Sequence, residues 1–308
     1  MIPLGIVGFG KIAHDQHLPA IAASADFELV AIADPAMSDV GLPVYGDLAA
    51  MLAAHPEMAA VSICTPPRLR AEIARRTMTA GKHVLLEKPP CASMAEAAEL
   101  EALAGEVGVT LFTAWHSQKG AGVAHAREWL QARGIKSVRV CWKEDVRVWH
   151  PGQGWIWEDG GFGVFDPGIN ALSILTAILP VELRLLDAEL SVPANCATPI
   201  AAKLALEGTG GFPIASEFDF RQTGPQSWDI DIETTDGVLR LSRGGNRLEI
   251  DGAARDVGGE AEYPALYADF AALIRAGANG VDLAPLKLVE DALLKGLVSV
   301  VEPFEEYA

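Results

Sequence analysis

The sequence has few cysteines, no excess of positive charge and no long apolar run. Its four cysteines lack C-x-x-C spacing, which predicts reduced thiols, a cytoplasmic location and no metal site. The chain carries 24 lysines and arginines against 41 aspartates and glutamates, so its formal net charge of −17 argues against a nucleic-acid partner. No apolar run reaches the roughly 18 to 20 residues of a membrane-spanning helix, and no signal peptide is expected. These absences leave a globular protein of 308 residues, which is long enough for two domains.

The first motif in the chain is a glycine-rich turn at the end of an apolar strand, residues 2–7. Within this turn, Gly8 permits a tight bend, Gly10 allows close approach of a pyrophosphate, and the small Ala13 lets the next helix pack closely on the sheet. A second apolar strand ends at Asp34, where an acid that binds the ribose of a dinucleotide is expected. The order of strand, turn, helix, strand and acid predicts a dinucleotide site.

Asp34 also bears on the choice of dinucleotide. Its carboxylate can accept hydrogen bonds from a free ribose 2′-hydroxyl, and it would repel the 2′-phosphate of NADP. No arginine follows among residues 35–38 to neutralise that phosphate, so NAD is expected to be preferred, while the nearby Lys11 leaves NADP open. The residues predicted to contact the dinucleotide are Gly8, Gly10, Lys11, Ile12, Asp34, Cys64, Thr65, Pro66, Glu87 and Lys88.

A charged pair ends another predicted strand, residues 83–86, which is followed by Glu87, Lys88 and Pro89. The proline stops the strand, and in an open parallel sheet the carboxyl end of a strand opens onto the crevice that binds ligands. Lys88 is therefore a candidate catalytic residue. The alternative is a lysine that merely ends a strand in solvent.

The order of predicted elements divides the chain at about residue 118. Residues 1–118 alternate strands and helices, which is typical of an α/β dinucleotide-binding Rossmann domain. Two prolines at 66 and 67 are expected to exclude helix and to leave a rigid loop beside the cofactor.

Residues 119–308 have a different pattern, with many strands and one apolar helix near 166–179. Turns such as Asp236-Gly237 indicate antiparallel hairpins. This region is therefore predicted to be an α+β substrate-binding and oligomerisation domain with a large, mainly antiparallel sheet. Its predicted strands are 136–147, 182–192, 200–207, 213–220, 227–234 and 237–250.

Tryptophan is concentrated near the predicted domain boundary. Five of the seven tryptophans lie at residue 115 or within residues 142–157, close to histidines and carboxylates. Aromatic faces stack on the apolar face of a sugar ring, and carboxylates, imidazoles and amides bind its hydroxyls. Core packing is the alternative for any single tryptophan, but the cluster as a whole favours a polyol pocket.

Asp166 and Asn170 stand four residues apart at the start of the predicted apolar helix, so they share one helix face. A carboxylate and an amide aimed at one point could serve as a base and a positioning group. Helix capping would explain Asp166 alone, but it would not explain an amide one turn into an apolar helix.

The glycine turn, Glu87-Lys88-Pro89 and Asp166-x-Gly168-x-Asn170 together resemble, in order and spacing, the family of glucose-fructose oxidoreductase, inositol dehydrogenase and MocA. The segments that begin at Trp115, Trp142 and Phe165 are similar to the branch of bacterial D-galactose and L-arabinose 1-dehydrogenases. The resemblance implies a dinucleotide domain followed by a substrate domain, oxidation of an aldose at C1 to the aldonolactone, and no metal. The family usually has histidine where this chain has Asn170, so the usual imidazole is missing.

Without an imidazole at position 170, the catalytic base must be another residue. Because Asn170 cannot accept a proton at neutral pH, Asp166 is the candidate base, with Lys88 stabilising the developing alkoxide and Asn170 orienting the hydroxyl. The reverse assignment, in which a neutral Lys88 is the base, stays open. The residues expected to bind the remaining hydroxyls and the ring face, partly from the resemblance, are His116, Glu144, Trp149 and Trp228.

The expected activity is NAD(P)-dependent oxidation of D-galactose, L-arabinose or both. Two alternatives from the same family stay open, a non-catalytic dinucleotide-binding sugar sensor and a dehydrogenase of another sugar or polyol. An exposed face of the second-domain sheet is expected to form a homo-oligomer. The remaining histidines are expected to pack or cap: His14, His17, His55, His83, His125 and His150. The alternative for His17, which is near the glycine turn, is that it borders the site.

Overall fold

The computed structural model of the protein describes residues 1–37 and 41–306, and these fold into two units. The first unit consists of Met1–His116 together with Glu262–Leu283, and the second of Ser117–Ala261 and the chain from Ala284 onward. The prediction placed all residues after 118 in the second domain, whereas residues 262–283 return to the first unit. Of the segment 35–38, which was noted to lack an arginine, Ser38 lies outside the described residues.

The first unit is built on a parallel sheet. Its strands are β1 (Ile2–Val7), β2 (Phe27–Ala33), β3 (Val44–Tyr45), β4 (Ala60–Ile63), β5 (His83–Glu87) and β6 (Leu111–Ala114). Among the described residues they form a six-stranded sheet in the order β3-β2-β1-β4-β5-β6, with every pair parallel. The strand order reverses between β1 and β4, the point at which such sheets bind ligands. The predicted Rossmann architecture is confirmed.

Helices connect these strands, and side chains set several of their ends. They are α1 (Leu18–Ala22), α2 (Leu48–Ala54), α3 (Pro67–Thr79) and α4 (Met94–Val107), with a π-helical turn at Ala13–His17 before α1. The Asp47 carboxylate accepts a hydrogen bond from the Ala50 N–H at the start of α2. Helix α3 begins at Pro67, so the expectation that the two prolines exclude helix was wrong. Proline fits the first helical position because its missing N–H would have no partner there.

The second unit is built on a large sheet of mixed direction. Over the described residues it has nine strands in the order β14-β13-β12-β11-β7-β10-β9-β8-β15, and all neighbours are antiparallel except β7 with β10 and β8 with β15. The predicted hairpin between β11 and β12 is present, but it turns at Thr235 and Asp236, and Gly237 is already the first residue of β12. The large, mainly antiparallel sheet is therefore confirmed. Its strands are β7 (Ile135–Lys143), β8 (Leu183–Pro193), β9 (Ala201–Gly208), β10 (Phe212–Asp219), β11 (Ser227–Thr234), β12 (Gly237–Ser242), β13 (Arg247–Ile250), β14 (Ala253–Arg255) and β15 (Leu297–Val301).

Helices pack on one face of this sheet, so residues alternate between buried and exposed along β9 and β10. The packed helices are α5 (Val123–Leu130), α7 (Phe165–Ile178) and α9 (Ala284–Lys295), and a short α6 (Val146–Trp149) follows β7. The strand predicted over 136–147 ends at Lys143 because Asp145 begins α6, where its carboxylate accepts a hydrogen bond from the Arg147 N–H.

Helix α8 (Glu262–Ala276) completes the core of the first unit. Its Phe270 stacks on both Phe27 and Phe112, with ring centroids 5.6 and 5.9 Å apart. No predicted element lies beyond residue 250, so neither α8 nor α9 was anticipated from the sequence. Within residues 1–37 and 41–306, no helix combines the length and apolar character needed to cross a bilayer.

Candidate active site

The predicted cofactor residues lie at the carboxyl ends of four neighbouring strands of the first unit. Gly8 follows β1 with a φ of +83°, and a Cβ atom there would lie 2.8 Å from the backbone nitrogen of Thr65. Only glycine suits this bend beside the loop after β4. A Cβ atom at Gly10, in contrast, would meet no described atom within 4 Å. The space over Gly10 therefore allows another molecule to approach the backbone at the start of the following helix.

Asp34 follows β2 and is tied to the glycine turn. Its Oδ2 accepts a hydrogen bond of 2.7 Å from the backbone N–H of Phe9, and its Oδ1 accepts one of 2.8 Å from Ala36. These two bonds hold the carboxylate beside the turn, as a ribose-binding acid requires. Lys11 is exposed and pairs with Asp15 one helical turn later, and Ile12 is half-buried next to it.

The loop after β4 carries Cys64, Thr65 and Pro66, all half-buried. The Thr65 Oγ1 atom is buried and has no hydrogen-bond partner among the described residues. An unsatisfied hydroxyl in the interior is costly, so this atom is suited to a polar group of a bound molecule. The loop is anchored by Arg70 on α3, whose Nε donates a 2.6 Å hydrogen bond to the Thr65 carbonyl.

Glu87 and Lys88 stand where β5 ends. The Glu87 side chain points inward, and its carboxylate accepts hydrogen bonds from Tyr263 (2.6 Å), from His17 (3.1 Å) and from the Lys88 N–H (2.6 Å). Its carboxylate therefore bonds to the protein interior, although we predicted it as a cofactor contact. Lys88 is half-buried, and the Lys88–Pro89 peptide is cis.

The charge of Glu87 is set by its surroundings. Burial alone would raise the pKa of its carboxyl group, but the hydrogen bond and charge of His17, with smaller contributions from His116 and Arg70, outweigh burial and lower the pKa to about 2. The pKa of His17 shifts the other way: burial opposes its charge, and Cys64, Tyr267 and Glu87 raise the pKa well above its usual value. Glu87 and His17 thus form a buried ion pair.

The predicted substrate residues gather in the second unit, with one exception. Glu144 directly follows β7 and is 2% exposed. Its Oε2 accepts a 2.7 Å hydrogen bond from the Trp228 indole on β11, and its Oε1 lies 2.9 Å from the His150 Nε2. Trp228 also packs against Trp149, with ring centroids 4.7 Å apart. Because Trp149 is 39% exposed, this aromatic pair presents a ring face at the surface of the unit.

Asp166 and Asn170 both lie on α7, in its first and second turns. Asp166 is buried and Asn170 half-buried, as their shared helix face predicts. The Asp166 Oδ2 lies 3.7 Å from the His150 Nδ1, and the other nitrogen of this ring is bonded to Glu144. His150 therefore puts an imidazole beside Asp166 even though position 170 carries an amide.

His116 is the exception, because it lies in the first unit. Its Nδ1 is 2.6 Å from the Glu262 Oε2, and its ring stacks on Tyr263 at 5.5 Å. The structure thus brings together Glu144, Trp149, Asp166, Asn170 and Trp228 and places His116 with Glu262 on the returning helix.

Sequence reasoning missed two residues at these sites. Arg70 was overlooked because a single arginine in a helix is ordinarily exposed. His150 was expected only to pack or cap, and its neighbour Glu144 was the one available signal. Of the other histidines, His17 is buried and His83 accepts a hydrogen bond from the Thr110 N–H, whereas His14 and His125 are exposed.

The first unit's residues fit a dinucleotide. The open space over Gly10, the unpaired Thr65 hydroxyl and the fixed Asp34 carboxylate suit a pyrophosphate and a ribose. In residues 1–37 and 41–306, no group of three or more histidine, cysteine, aspartate or glutamate side chains has the arrangement of a metal site.

Comparison with known proteins agrees with this fold. Residues 2–115 match the oxidoreductase family with an NAD-binding Rossmann fold. The chain is 44% identical over 306 residues to a galactose 1-dehydrogenase of Pseudomonas fluorescens, with 98% of each chain covered. It is 51% identical to the crystal structure of a D-galactose-1-dehydrogenase from Rhizobium etli, with a TM-score of 0.94 and 99% and 98% of the two chains covered. A 3-ketoreductase from Actinomadura kijaniata, solved with NADP and TDP-benzene, shares the fold at 20% identity, with a TM-score of 0.85 and 99% of each chain covered.

Proposed function

The chain belongs to the oxidoreductase family of glucose-fructose oxidoreductase, inositol dehydrogenase and MocA, and from this membership we propose that it oxidises an aldose at C1 to the aldonolactone. The proposed substrates are D-galactose and L-arabinose. The observation that carries the proposal is the group of Glu144, Trp228, Trp149 and Asp166 in the second unit. It combines an indole face with buried carboxylates, the combination that recognises a sugar ring and its hydroxyls.

We propose NAD as the preferred dinucleotide. The support is Asp34, whose carboxylate is held beside the glycine turn by the Phe9 and Ala36 amides. A carboxylate fixed in this way favours a free 2′-hydroxyl and repels a 2′-phosphate. The bound nicotinamide ring supplies the hydride acceptor.

The protein's own residues then have separate tasks. Asp166 takes the proton of the anomeric hydroxyl, and the buried position of its carboxylate on α7 keeps bulk water from competing. Lys88 stabilises the negative charge that develops on that oxygen. Asn170, one helical turn beyond Asp166, orients the hydroxyl. Glu144 and Trp228 bind the hydroxyls and the ring face, and His116 is proposed as a further polar contact.

A panel of aldoses with NAD, read by absorbance of the reduced cofactor, tests the proposal. D-Galactose and L-arabinose share the configuration from C1 to C4, so a pocket that reads those atoms should turn over both. Loss of the C6 hydroxymethyl group in a tolerant pocket changes discrimination by only about 1 to 3 kcal/mol. D-Glucose should react much more slowly, because its inverted C4 hydroxyl points away from the polar groups that would bind the C4 hydroxyl of D-galactose.

Two results of the panel would contradict the proposal. Equal rates with D-glucose and D-galactose would refute a pocket that reads C4. Binding of NAD and sugar without turnover of any aldose would favour a sugar sensor instead.

We also propose that the chain forms a homo-oligomer through the sheet of the second unit. The support is β15, an edge strand on which Leu297, Val298 and Val300 are exposed. An exposed apolar edge strand is normally covered. Sedimentation velocity of wild-type protein and of Val298→Lys tests this: the variant should sediment as a smaller species, and an unchanged or monomeric wild-type profile would contradict it.

A further inference from the structure

The first unit contains a buried polar chain that the proposed function does not use. It runs from Ser62 on β4 through Tyr267 and His17 to Glu87 at the end of β5. The Tyr267 hydroxyl lies 3.0 Å from the Ser62 Oγ and 2.7 Å from the His17 Nδ1, and the His17 Nε2 lies 3.1 Å from Glu87. Since His17 is 0% exposed, no ligand reaches its ring.

We propose that His17 is a positioning residue that acts through Glu87 to set the backbone position of Lys88. The proposal rests on the function proposed above, in which Lys88 stabilises charge on the substrate oxygen. The structural basis of the proposal is that the Glu87 carboxylate is hydrogen-bonded to both His17 and Lys88. Glu87 accepts the His17 and Tyr263 hydrogen bonds at Oε1 and the Lys88 backbone N–H at Oε2.

The backbone on both sides of Lys88 is held by a second buried charge. Arg70 is 4% exposed, and its NH1 group donates to the carbonyl oxygens of Glu87 and Pro89, the residues before and after Lys88. Its Nε bonds the Thr65 carbonyl at 2.6 Å. An anion therefore holds the Lys88 N–H and a cation holds the flanking carbonyls, which leaves the lysine backbone little freedom.

The position of the Glu87 carboxylate depends on His17 because the two residues form an ion pair. A buried carboxylate needs a compensating charge, and removal of one partner of a buried pair leaves the other uncompensated. Without the imidazole, Glu87 must either take up a proton or turn toward the remaining groups that face it, Tyr263, His116 and Arg70. Protonation would weaken Oε2 as an acceptor for the Lys88 N–H, and rotation would move Oε2 away from it. Misplacement of a reacting group by about 1 Å can cost roughly 100-fold in rate.

Two variants of His17 test the proposal. In His17→Leu, kcat on D-galactose should fall roughly 10- to 100-fold, while KM and the dinucleotide Kd change less than about threefold. His17→Gln keeps an amide donor for Glu87 and should recover part of the rate. His125→Gln, on the exposed surface of α5, is the matched control and should keep the wild-type rate. In a Glu87→Gln background, His17→Gln should cause no further loss, since both act through one carboxylate.

Amide exchange gives a reading that does not depend on catalysis. In protein labelled with 15N-lysine, the Lys88 amide should exchange faster in His17→Leu than in the wild type, because its acceptor has moved. If Lys88→Met keeps full turnover, the proposed role of Lys88 fails, yet this exchange rate still decides whether His17 positions it.

Where Lys88→Met lowers kcat, the proposal is overturned by wild-type kcat in His17→Leu or by losses from His17 and Glu87 that multiply. An unchanged Lys88 exchange rate overturns it in either case. If His17→Leu does not fold, Tyr263→Phe decides, since it keeps the ion pair and removes one hydrogen bond to Glu87. A loss of roughly threefold in kcat with faster Lys88 exchange supports the proposal, and no change in either overturns it.

Discussion

Each unit contains a histidine paired with a carboxylate, but the two pairs differ in depth. In the first unit, His17 and Glu87 are 0% and 1% exposed, and both are bonded to buried tyrosines. In the second, Glu144 is equally buried, but His150 is 15% exposed. The same two chemical groups are thus fully buried in the first unit, where we call them the closed pair, and partly exposed in the second, where we call them the open pair. In our proposals, the buried histidine positions the backbone and the part-exposed histidine lies beside the base.

The largest expected difference between the pairs is in stability. Glu87→Gln should cost the first unit roughly 3 to 5 kcal/mol, because it removes the negative charge that compensates the buried His17. Glu144→Gln should cost the second unit less than about 2 kcal/mol, because the part-exposed His150 can be solvated. Hydrogen exchange of peptides from β5 and β7 measures the two losses separately. Equal losses would remove the distinction between a closed and an open pair.

Acid should also destabilise the first unit, through protonation of Glu87 in the closed pair. The folded-state pKa of Glu87 lies near 2, below its ordinary value of 4.5. A carboxyl group whose pKa is lowered by folding contributes stability above its unfolded pKa and loses that contribution as the pH falls toward the folded pKa. The first unit should therefore lose about 3 kcal/mol of stability between pH 4.5 and 2. Urea titrations at several pH values, monitored by hydrogen exchange of a β5 peptide, should show this loss of stability in the wild type and a smaller loss in Glu87→Gln.

Substitutions beside the open pair should affect activity more than stability, the opposite of what is expected for the closed pair. Asp166→Asn, beside the open pair, should lower kcat by roughly 100-fold or more and leave stability nearly unchanged. Lys88→Met should lower kcat to a similar degree without weakening NAD binding. Asp256→Asn and Lys287→Met, both exposed, serve as charge-matched controls. Steady-state kinetics with D-galactose and calorimetric NAD titration supply the measurements, and near-normal turnover in either test variant would refute its assigned role.

A third carboxylate gives the smallest effect. Asp34 lies at the rim of the first unit and bonds only backbone amides in the described structure. Asp34→Ser should narrow the preference for NAD over NADP by roughly tenfold, since the repulsion of a 2′-phosphate is removed. Comparison of kcat/KM for the two cofactors on one sugar checks this, and a wild type that already prefers NADP would show that Asp34 does not exclude the phosphate.

The fold was predictable where local pattern and topology agree. The turn at Gly8 and the alternation of strands and helices determine the parallel sheet, because each step has a short-range cause. Helix α8 escaped prediction because its apolar face indicates that it packs, without indicating which core it joins. The strand after residue 134 was extended too far because Asp145 can either continue a strand or cap a helix, and tertiary contacts select the cap.

The candidate site was predictable to the same extent. Asp166 and Asn170 share a helix face by spacing alone, and the structure places both on α7. Glu87 points inward because of partners more than 60 residues away along the chain. The position of His150 depends on an irregular turn. No local pattern carries that information. His116 shows the same limit, since its partner Glu262 lies 146 residues along the chain.

The return of residues 262–283 to the first unit has a consequence for how the protein is made. Tyr263 and Tyr267, which bond Glu87 and His17, emerge from the ribosome after the whole of Ser117–Ala261. At about 5 to 20 residues per second, the amino-terminal sheet waits roughly 7 to 30 s for the helix that closes its core. During that interval Glu87 has no tyrosine partner and part of the aromatic core is uncovered. A protein truncated after residue 118 would lack this helix permanently and should not be expected to behave as an autonomous domain.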